Sequence, residues 1–141
     1  MATPTYDLIH SLTLSSNTSN VTFDSIPTDG TYRDLAIYIS GTMAVGNVGH
    51  GDMKYNYSTS GYSVLHMDAY SSGVIARQYT SSNQIRFSEQ NSFSTSEINT
   101  TYIEIFDYAE TDKDKVAFVR TNRGFELTAI TGSRLDSTSA I

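Results

Sequence analysis

Short segments in which apolar and polar residues alternate recur along the whole chain. Clear examples are residues 6–14, 102–108 and 125–129, and clusters of Ser, Asn, Asp and Gly separate such segments. A period of two puts alternate side chains on opposite faces of an extended strand. Many short strands with regular turn punctuation are typical of β-sandwiches and barrels. We therefore predict an all-β fold: a jelly-roll-like antiparallel β-sandwich, with residues 1–141 forming a single domain.

The composition supports strands rather than exposed helices. Ser (20) and Thr (18) together make up 38 of the 141 residues, or 27 %, whereas charged residues make up only 17 %. Hydroxyl groups therefore supply most of the polarity, in contrast to the Glu- and Lys-rich surfaces of helical proteins. Ten Tyr and six Phe provide enough large apolar side chains to exclude a disordered tract. A chain of this length suits one core and is cramped for two.

Alternation along each strand predicts which side chains form the core. We expect the members of the apolar face of each alternating segment to be mostly buried. For residues 102–108 the choice is open, because Phe106 and Tyr108 compete with the two isoleucines. The expected core residues are Leu8, Leu12, Phe23, Leu35, Ile37, Ile103, Ile105, Phe118 and Leu127.

Turns and loops follow from glycine and polar clusters. Residues 41–51 contain four Gly and predict a flexible loop, and residues 91–99 predict a second polar loop. Long loops without secondary structure of their own are often functional, so we expect both to be contact regions. We also predict that residues 74–79 and 84–87 pair as a hairpin, and that residues 112–115 form a charged hairpin turn.

Charge and hydropathy exclude several classes of function. The formal charge is −6 and the nine basic residues are scattered, which argues against tracking a nucleic-acid backbone. The apolar runs are too short to cross a bilayer, for which about 18 residues are needed. The first residues are not those of a signal peptide, so we expect synthesis in a cytoplasm without membrane association. The chain has no Cys and hence neither disulfides nor thiolate metal sites.

The histidines and one acidic cluster are the candidate metal ligands. His10, His50 and His66 are far apart in sequence, and we interpret them as strand or loop residues rather than a zinc site. Asp107, Glu110, Asp112 and Asp114 lie within eight residues and could hold a calcium ion. Because Lys113 and Lys115 interleave with them, we favour a solvated hairpin.

Tyr55, Tyr57 and Tyr62 could stack on sugar rings, but tyrosine also commonly fills half-buried strand faces, which is the interpretation we prefer. The sequence contains no serine elbow, phosphate-binding glycine motif or metal-spaced histidines. Paired carboxylates of the glycosidase kind remain open. We expect no catalytic, cofactor-binding or metal-binding residues, and hence no enzyme activity and no cofactor.

Through residues 6–35, 102–108 and 125–141, the chain resembles over most of its length a group of small virion proteins of tailed bacteriophages, many of them marine. The stretch Tyr102–Tyr108 is similar to a strand of that group, and residues 125–141 are similar to the region before its last strands. The matching N-terminal positions are Tyr6, Leu8, Ile9, Val21, Phe23, Ser25, Ile26, Pro27, Thr31, Tyr32, Asp34 and Leu35.

The resemblance implies a β-sandwich on the exterior of the virion, without catalysis. It implies a capsid decoration (cement) protein that binds the outer surface of the major capsid protein shell, or a tail or fibre component that binds a host-surface glycan. It also implies a homotrimer, because such decoration proteins sit at local three-fold positions. A small glycan-active enzyme is the third hypothesis, and a cleft with two facing carboxylates would favour it.

The chain departs from the group at its C-terminal end. In the group, the stretch similar to residues 137–141 runs into another strand and then a final one. We therefore expect either a truncated part of a longer product or a short member of the group. A missing last strand would leave a sheet edge open for a partner.

Overall fold

The computed structural model describes residues 6–42, 51–70, 72–86, 95–123, 127–137 and 139–141. Within these residues the chain forms eight strands and no helix, and therefore no helix that could span a membrane. The strands are β1 (Leu35–Gly41), β2 (Asp52–Met53), β3 (Tyr62–Tyr70), β4 (Gly73–Ser82), β5 (Ile85–Arg86), β6 (Asn99–Phe106), β7 (Lys115–Arg123) and β8 (Leu127–Leu135).

Six of the strands form one antiparallel sheet in the order β1-β6-β7-β8-β3-β4. Strands β2 and β5 pair with each other as a small second sheet. The prediction of an all-β, antiparallel, sandwich-like single domain is confirmed. Its physical basis is the period-two pattern, because a helix would scatter these alternating side chains around its axis.

The inward face of the six-stranded sheet carries the core. Odd-numbered residues of β6, β7 and β8 and even-numbered residues of β3 point inward. In one row across the sheet, Ile37, Ile103 and Val119 are neighbours, and Ile103 is 1 % exposed. Ile105 is also buried, whereas Phe106 points outward. Both isoleucines are therefore core residues, and of the two competing aromatic residues Phe106 is outward while Tyr108, beyond the end of β6, is also buried.

The second layer comes from short elements and irregular chain. Tyr55 and Ile85 are buried in the core, and Ile26 packs against it. The Tyr108 hydroxyl donates a hydrogen bond to the carbonyl of Pro27, and the Tyr108 amide donates to the carbonyl of Arg33. These two bonds fix the segment that precedes β1 beneath the sheet.

The predicted N-terminal strands are wrong. Residues 6–25, which we call the arm, belong to no strand of the described chain and bend at residues 15, 16 and 19. Ile9 packs against the core while Leu8 and Leu12 are exposed, which is the opposite of the predicted facing. A shift of one residue exchanges the two faces of an extended segment, and nothing in the local pattern prevents it.

Other expectations have mixed outcomes. Leu35 is buried and Phe23 and Ile37 are half-buried, but Phe118 points outward with 36 % exposure.

The predicted pairing of residues 74–79 with 84–87 is wrong, because β4 pairs with β3 and β5 pairs with β2. The Leu127 side chain and residues 43–50, 87–94 and 124–126 lie outside the described residues, and with them most of the predicted contact loop 41–51 and residues 91–94 of the predicted loop 91–99.

Candidate docking face

The outward face of the six-stranded sheet is rich in exposed apolar side chains. Register places Phe118, Gly132 and Leu65 side by side across β7, β8 and β3, with Ile130 and Met67 side by side in the next row. Leu65 is 57 % exposed and Met67 45 %. We call the outward positions of β1, β3, β4, β6, β7 and β8 the open face. A broad contiguous apolar patch of this kind marks an interaction surface in soluble proteins.

A groove of about 370 Å³ runs over Gly132 on the open face. Leu65, Gln78 and Arg134 are among the residues that line it. A Cβ atom added at Gly132 would meet no atom within 4 Å. The monomer therefore has no steric need for glycine at this position. A glycine inside a strand weakens the strand and often marks the close approach of a ligand or another backbone.

An aromatic and cationic corner lies on the β1, β6 and β7 part of the open face. The Arg120 guanidinium lies 5.0 Å from the centre of the Tyr102 ring, and Tyr102 is the cross-strand neighbour of Tyr38. Burial and a hydrogen bond with Tyr6 raise the pKa of the Tyr102 hydroxyl. The open face therefore offers aromatic rings and a positive charge beside its aliphatic centre.

The arm exposes a second apolar surface. Leu8, Leu12 and Leu14 are each more than half exposed, and they alternate with polar residues or with Ile9. The His10 ring packs edge-on against Phe23 at 5.4 Å, which joins the two ends of the arm. An extended segment with a regular apolar face is suited to lie on a sheet or to join its edge.

A polar cluster lies buried beneath the sheet. The Nε2 atom of His66 lies 2.8 Å from a carboxylate oxygen of Asp68, and the other oxygen lies 3.5 Å from the Arg77 guanidinium. The Nδ1 atom of His66 is 2.6 Å from the Thr131 hydroxyl. Neither carboxylate oxygen of Asp68 makes a hydrogen bond of good geometry with these neighbours.

A hydroxyl, an imidazole and a carboxylate that contact one another in this order are the components of a nucleophilic triad. In this protein His66, Asp68 and Thr131 are completely buried, so a substrate has no access to them in this structure. The cluster instead links β3 to its two neighbouring strands. Asp68 on β3 contacts Arg77 on β4, and His66 on β3 contacts Thr131 on β8.

The three histidines have separate surroundings. His66 is in the buried cluster, His10 is exposed on the arm, and His50 lies outside the described residues. Within the described residues, no group of three or more His, Asp or Glu is arranged to hold a metal ion.

Of the three tyrosines considered for sugar stacking, Tyr55 and Tyr62 are core residues with ring centres 6.0 Å apart, whereas Tyr57 is exposed.

The acidic cluster forms the predicted hairpin between β6 and β7, and two of its four carboxylates, those of Asp107 and Asp114, are ion-paired. Asp107 lies 3.0 Å from Arg33 and 3.5 Å from Lys113, and Asp114 lies 3.2 Å from Arg134. Lys115 departs from the predicted solvated hairpin. It is completely buried, and its ammonium donates to the carbonyls of Asp107 and Glu110.

Asp107 gives this hairpin a pH dependence. The hydrogen bond from Arg33 is the main cause that lowers the pKa of Asp107 below its ordinary 3.8. The ionised carboxylate therefore stabilises the fold above pH 3.8, and that contribution is lost as the pH falls through the lowered pKa. We expect Asp107→Asn to be less stable than the parent at pH 7 by an amount that shrinks below pH 3.8. Urea unfolding from pH 7 to pH 3 measures the difference.

Asparagine is the matched replacement, because Asp107 has φ +47° and asparagine tolerates this left-handed conformation. Asp107→Ala should add a backbone penalty that does not change with pH. A stability difference between Asp107→Asn and the parent that stays constant down to pH 3 would contradict the prediction.

Sequence reasoning did not single out Gly132 or the cluster around Asp68. The spacing of His66 and Asp68 by two residues on a strand is a usable signal, because it places both on one face. Comparisons of the chain with family models, with curated proteins and with solved structures found no match.

Proposed function

We propose that this chain is a structural component of a phage virion: a capsid decoration protein that binds the outside of the major capsid protein shell and stabilises it. The observation that carries the proposal is the open face, an apolar sheet surface with a groove over Gly132. The resemblance of residues 6–35 and 102–108 to phage virion proteins supports the same assignment. In this proposal the protein acts as a homotrimer on the capsid exterior.

A binding role fits the placement of the polar groups better than catalysis does. The triad-like residues His66, Asp68 and Thr131 are sealed from solvent. Two of the four acidic residues of the hairpin, Asp107 and Asp114, are ion-paired with Arg33, Lys113 and Arg134. We therefore propose no reaction, no cofactor and no nucleic-acid or membrane partner.

Reconstitution with particles that lack the protein tests the proposal. The purified chain should bind such particles saturably, raise the temperature at which the shell disrupts, and appear on the capsid exterior by electron cryomicroscopy. The double variant Leu65→Ser/Ile130→Ser should bind at least about ten-fold more weakly, equivalent to about 1.4 kcal/mol. Tyr57→Ser is the matched control, since Tyr57 is exposed but lies in a loop outside the open face. Absence of binding to the shell by the parent chain would refute the proposal.

The pairing of Tyr38 with Tyr102 beside Arg120 favours a second candidate, a tail or fibre component that binds a host-surface glycan. Aromatic rings stack on the apolar faces of sugars, and a guanidinium can bind acidic sugars. Localisation to the tail in the same micrographs, together with host-glycan binding that Tyr38→Ala abolishes, would favour this candidate over the capsid.

A further inference from the structure

We propose that residues 6–14 of the arm form a strap that closes onto the free edge of β1 of the same chain as a further strand of the large sheet, with Tyr6 beside Tyr38. Closure would place Leu8 and Leu12 on the open face, next to the surface that we assign to the capsid shell. The inference therefore deepens the proposed docking role, and its part about the shell rests on that role. The closure itself is a property of the chain alone.

The free edge of β1 is the less protected of the two edges of the large sheet. β1 pairs with β6 alone in the described chain, so alternate residues of Leu35–Gly41 direct their backbone N–H and C=O groups away from the sheet. The strand contains no charged residue and no proline. The opposite edge strand, β4, contains Arg77, and its pairing with β3 shifts register between Tyr62 and Val64. Charge and irregular register discourage pairing at β4, whereas β1 can accept another strand.

The strap already passes around this edge. The Tyr6 side chain contacts the Tyr102 hydroxyl on the outward face, whereas Ile9 packs against the core on the inward face. Tyr102 lies on β6, about 4.8 Å from β1 but at least three residues, or about 10 Å, from either end of its own strand. The step from Tyr6 to Ile9 also spans at most about 10 Å. The shortest route between the two faces is therefore around the free edge of β1.

The side chains of the strap alternate in phase with those of β1. On β1, even-numbered residues such as Tyr38 face outward, and odd-numbered residues such as Ile37 face the core. The strap follows the same rule, because Tyr6 and the even-numbered leucines are exposed while Ile9 packs against the core. Residues 6–14 contain no positive φ. Pairing with β1 therefore requires neither a reversal of facing nor a left-handed residue.

Closure of the strap would enlarge the open face. In this phase, the side chains of Tyr6, Leu8 and Leu12 join the outward side of the sheet next to Tyr38. A partner on the open face then contacts the closed strap but has no such contact with the unpaired arm. Because a partner shifts a conformational equilibrium by its difference in affinity for the two states, shell binding and strap closure strengthen each other.

An intramolecular disulfide tests the closed register in the purified full chain, which has no native Cys. Directly opposed residues on neighbouring strands lie about 5 Å apart, within the range that a disulfide spans. After mild oxidation of dilute protein, Tyr6→Cys/Tyr38→Cys should form a bond within one chain, and both positions are exposed, so the fold should be retained. Tyr6→Cys/Tyr57→Cys is the matched control, since Tyr57 is exposed in a loop outside the open face. No bond above the level of the control, or bonds only between chains, would overturn the inference.

Amide hydrogen exchange on the same variant measures backbone pairing. In the oxidised chain, alternate amides of residues 7–13 should exchange about ten-fold more slowly than in the reduced chain, since every second N–H of an edge strand bonds to its neighbour. Exchange that oxidation leaves unchanged, or that slows equally at every amide, would contradict pairing with β1.

Binding to particles that lack the protein tests the link to the shell. The oxidised variant should bind about ten-fold more tightly than its reduced form, because Leu8 and Leu12 are then held on the open face. Equal binding by the two forms would overturn the link between closure and the shell. Alternate protection without shell binding by the variant or the parent chain would keep the closure and refute the decoration role, whereas shell binding without alternate protection would do the reverse.

Discussion

Replacing Asp68 with alanine should lower the free energy of unfolding by about 1–3 kcal/mol, because it leaves the buried imidazole of His66 without its polar neighbour. The Asp68 carboxylate lies between His66 and Arg77, at 2.8 Å and 3.5 Å. Asp68 and His66 are completely buried, so water cannot replace the lost contact at the imidazole. Urea denaturation at neutral pH measures the loss, and a value below about 0.5 kcal/mol, as for an ordinary surface position, would contradict it.

Two further variants distinguish the loss of unfolding free energy caused by removing one member of the cluster from the net contribution of the intact cluster to stability. Asp68→Asn keeps the shape and removes the charge, so we expect an intermediate loss. Replacing the three residues together, as His66→Leu/Asp68→Leu/Arg77→Met, should restore much of the stability, because apolar groups of similar volume need no partner. If the triple variant were less stable than Asp68→Ala, the cluster would be a net source of stability.

Truncating Ile103 to alanine should cost about 2–5 kcal/mol, since its side chain fills the centre of the core and leaves a cavity when removed. Ile103 is 1 % exposed and lies between Ile37 and Val119 in register. The matched control is Phe118→Ala on the other face of the sheet, because Phe118 is 36 % exposed. In dilute monomeric protein, we expect the control to lose well under half as much.

Chemical denaturation of both variants at several protein concentrations completes the comparison. Equal losses in dilute protein would mean that the inward and outward faces are assigned incorrectly.

The position of Tyr108 shows where alternation along a strand stops predicting which side chains are buried. Phe106 and Tyr108 share a parity and would share a face on a regular strand. β6 ends at Phe106, and Asp107 takes φ +47°, which turns the chain. Tyr108 is consequently buried while Phe106 stays outward. The sequence predicts a strand over residues 102–108 and a turn at 112–115, whereas the chain already turns at Asp107, and the change of facing depends on that single backbone conformation.

The sequence by itself determined the class of the fold. The period of two, the hydroxyl-rich composition and the turn residues exclude long helices and specify short antiparallel strands, because these properties act within a few residues of chain. For the same reason the β6–β7 hairpin was predictable from the charged residues 112–115 between two alternating runs. These are local preferences, and they hold wherever the segment lies in the molecule.

Only the tertiary structure decided which face of each strand is covered. Both faces of the large sheet carry apolar residues, so Phe118 and Ile103 are equivalent by pattern, and burial depends on what packs above them. The same holds for the arm, whose strand pattern remains unpaired, and for the contact of His66 with Thr131, 65 positions apart. Which face is covered and which strands pair depend on segments that are distant in sequence. Alternation along one strand contains no information about which of those segments packs against it.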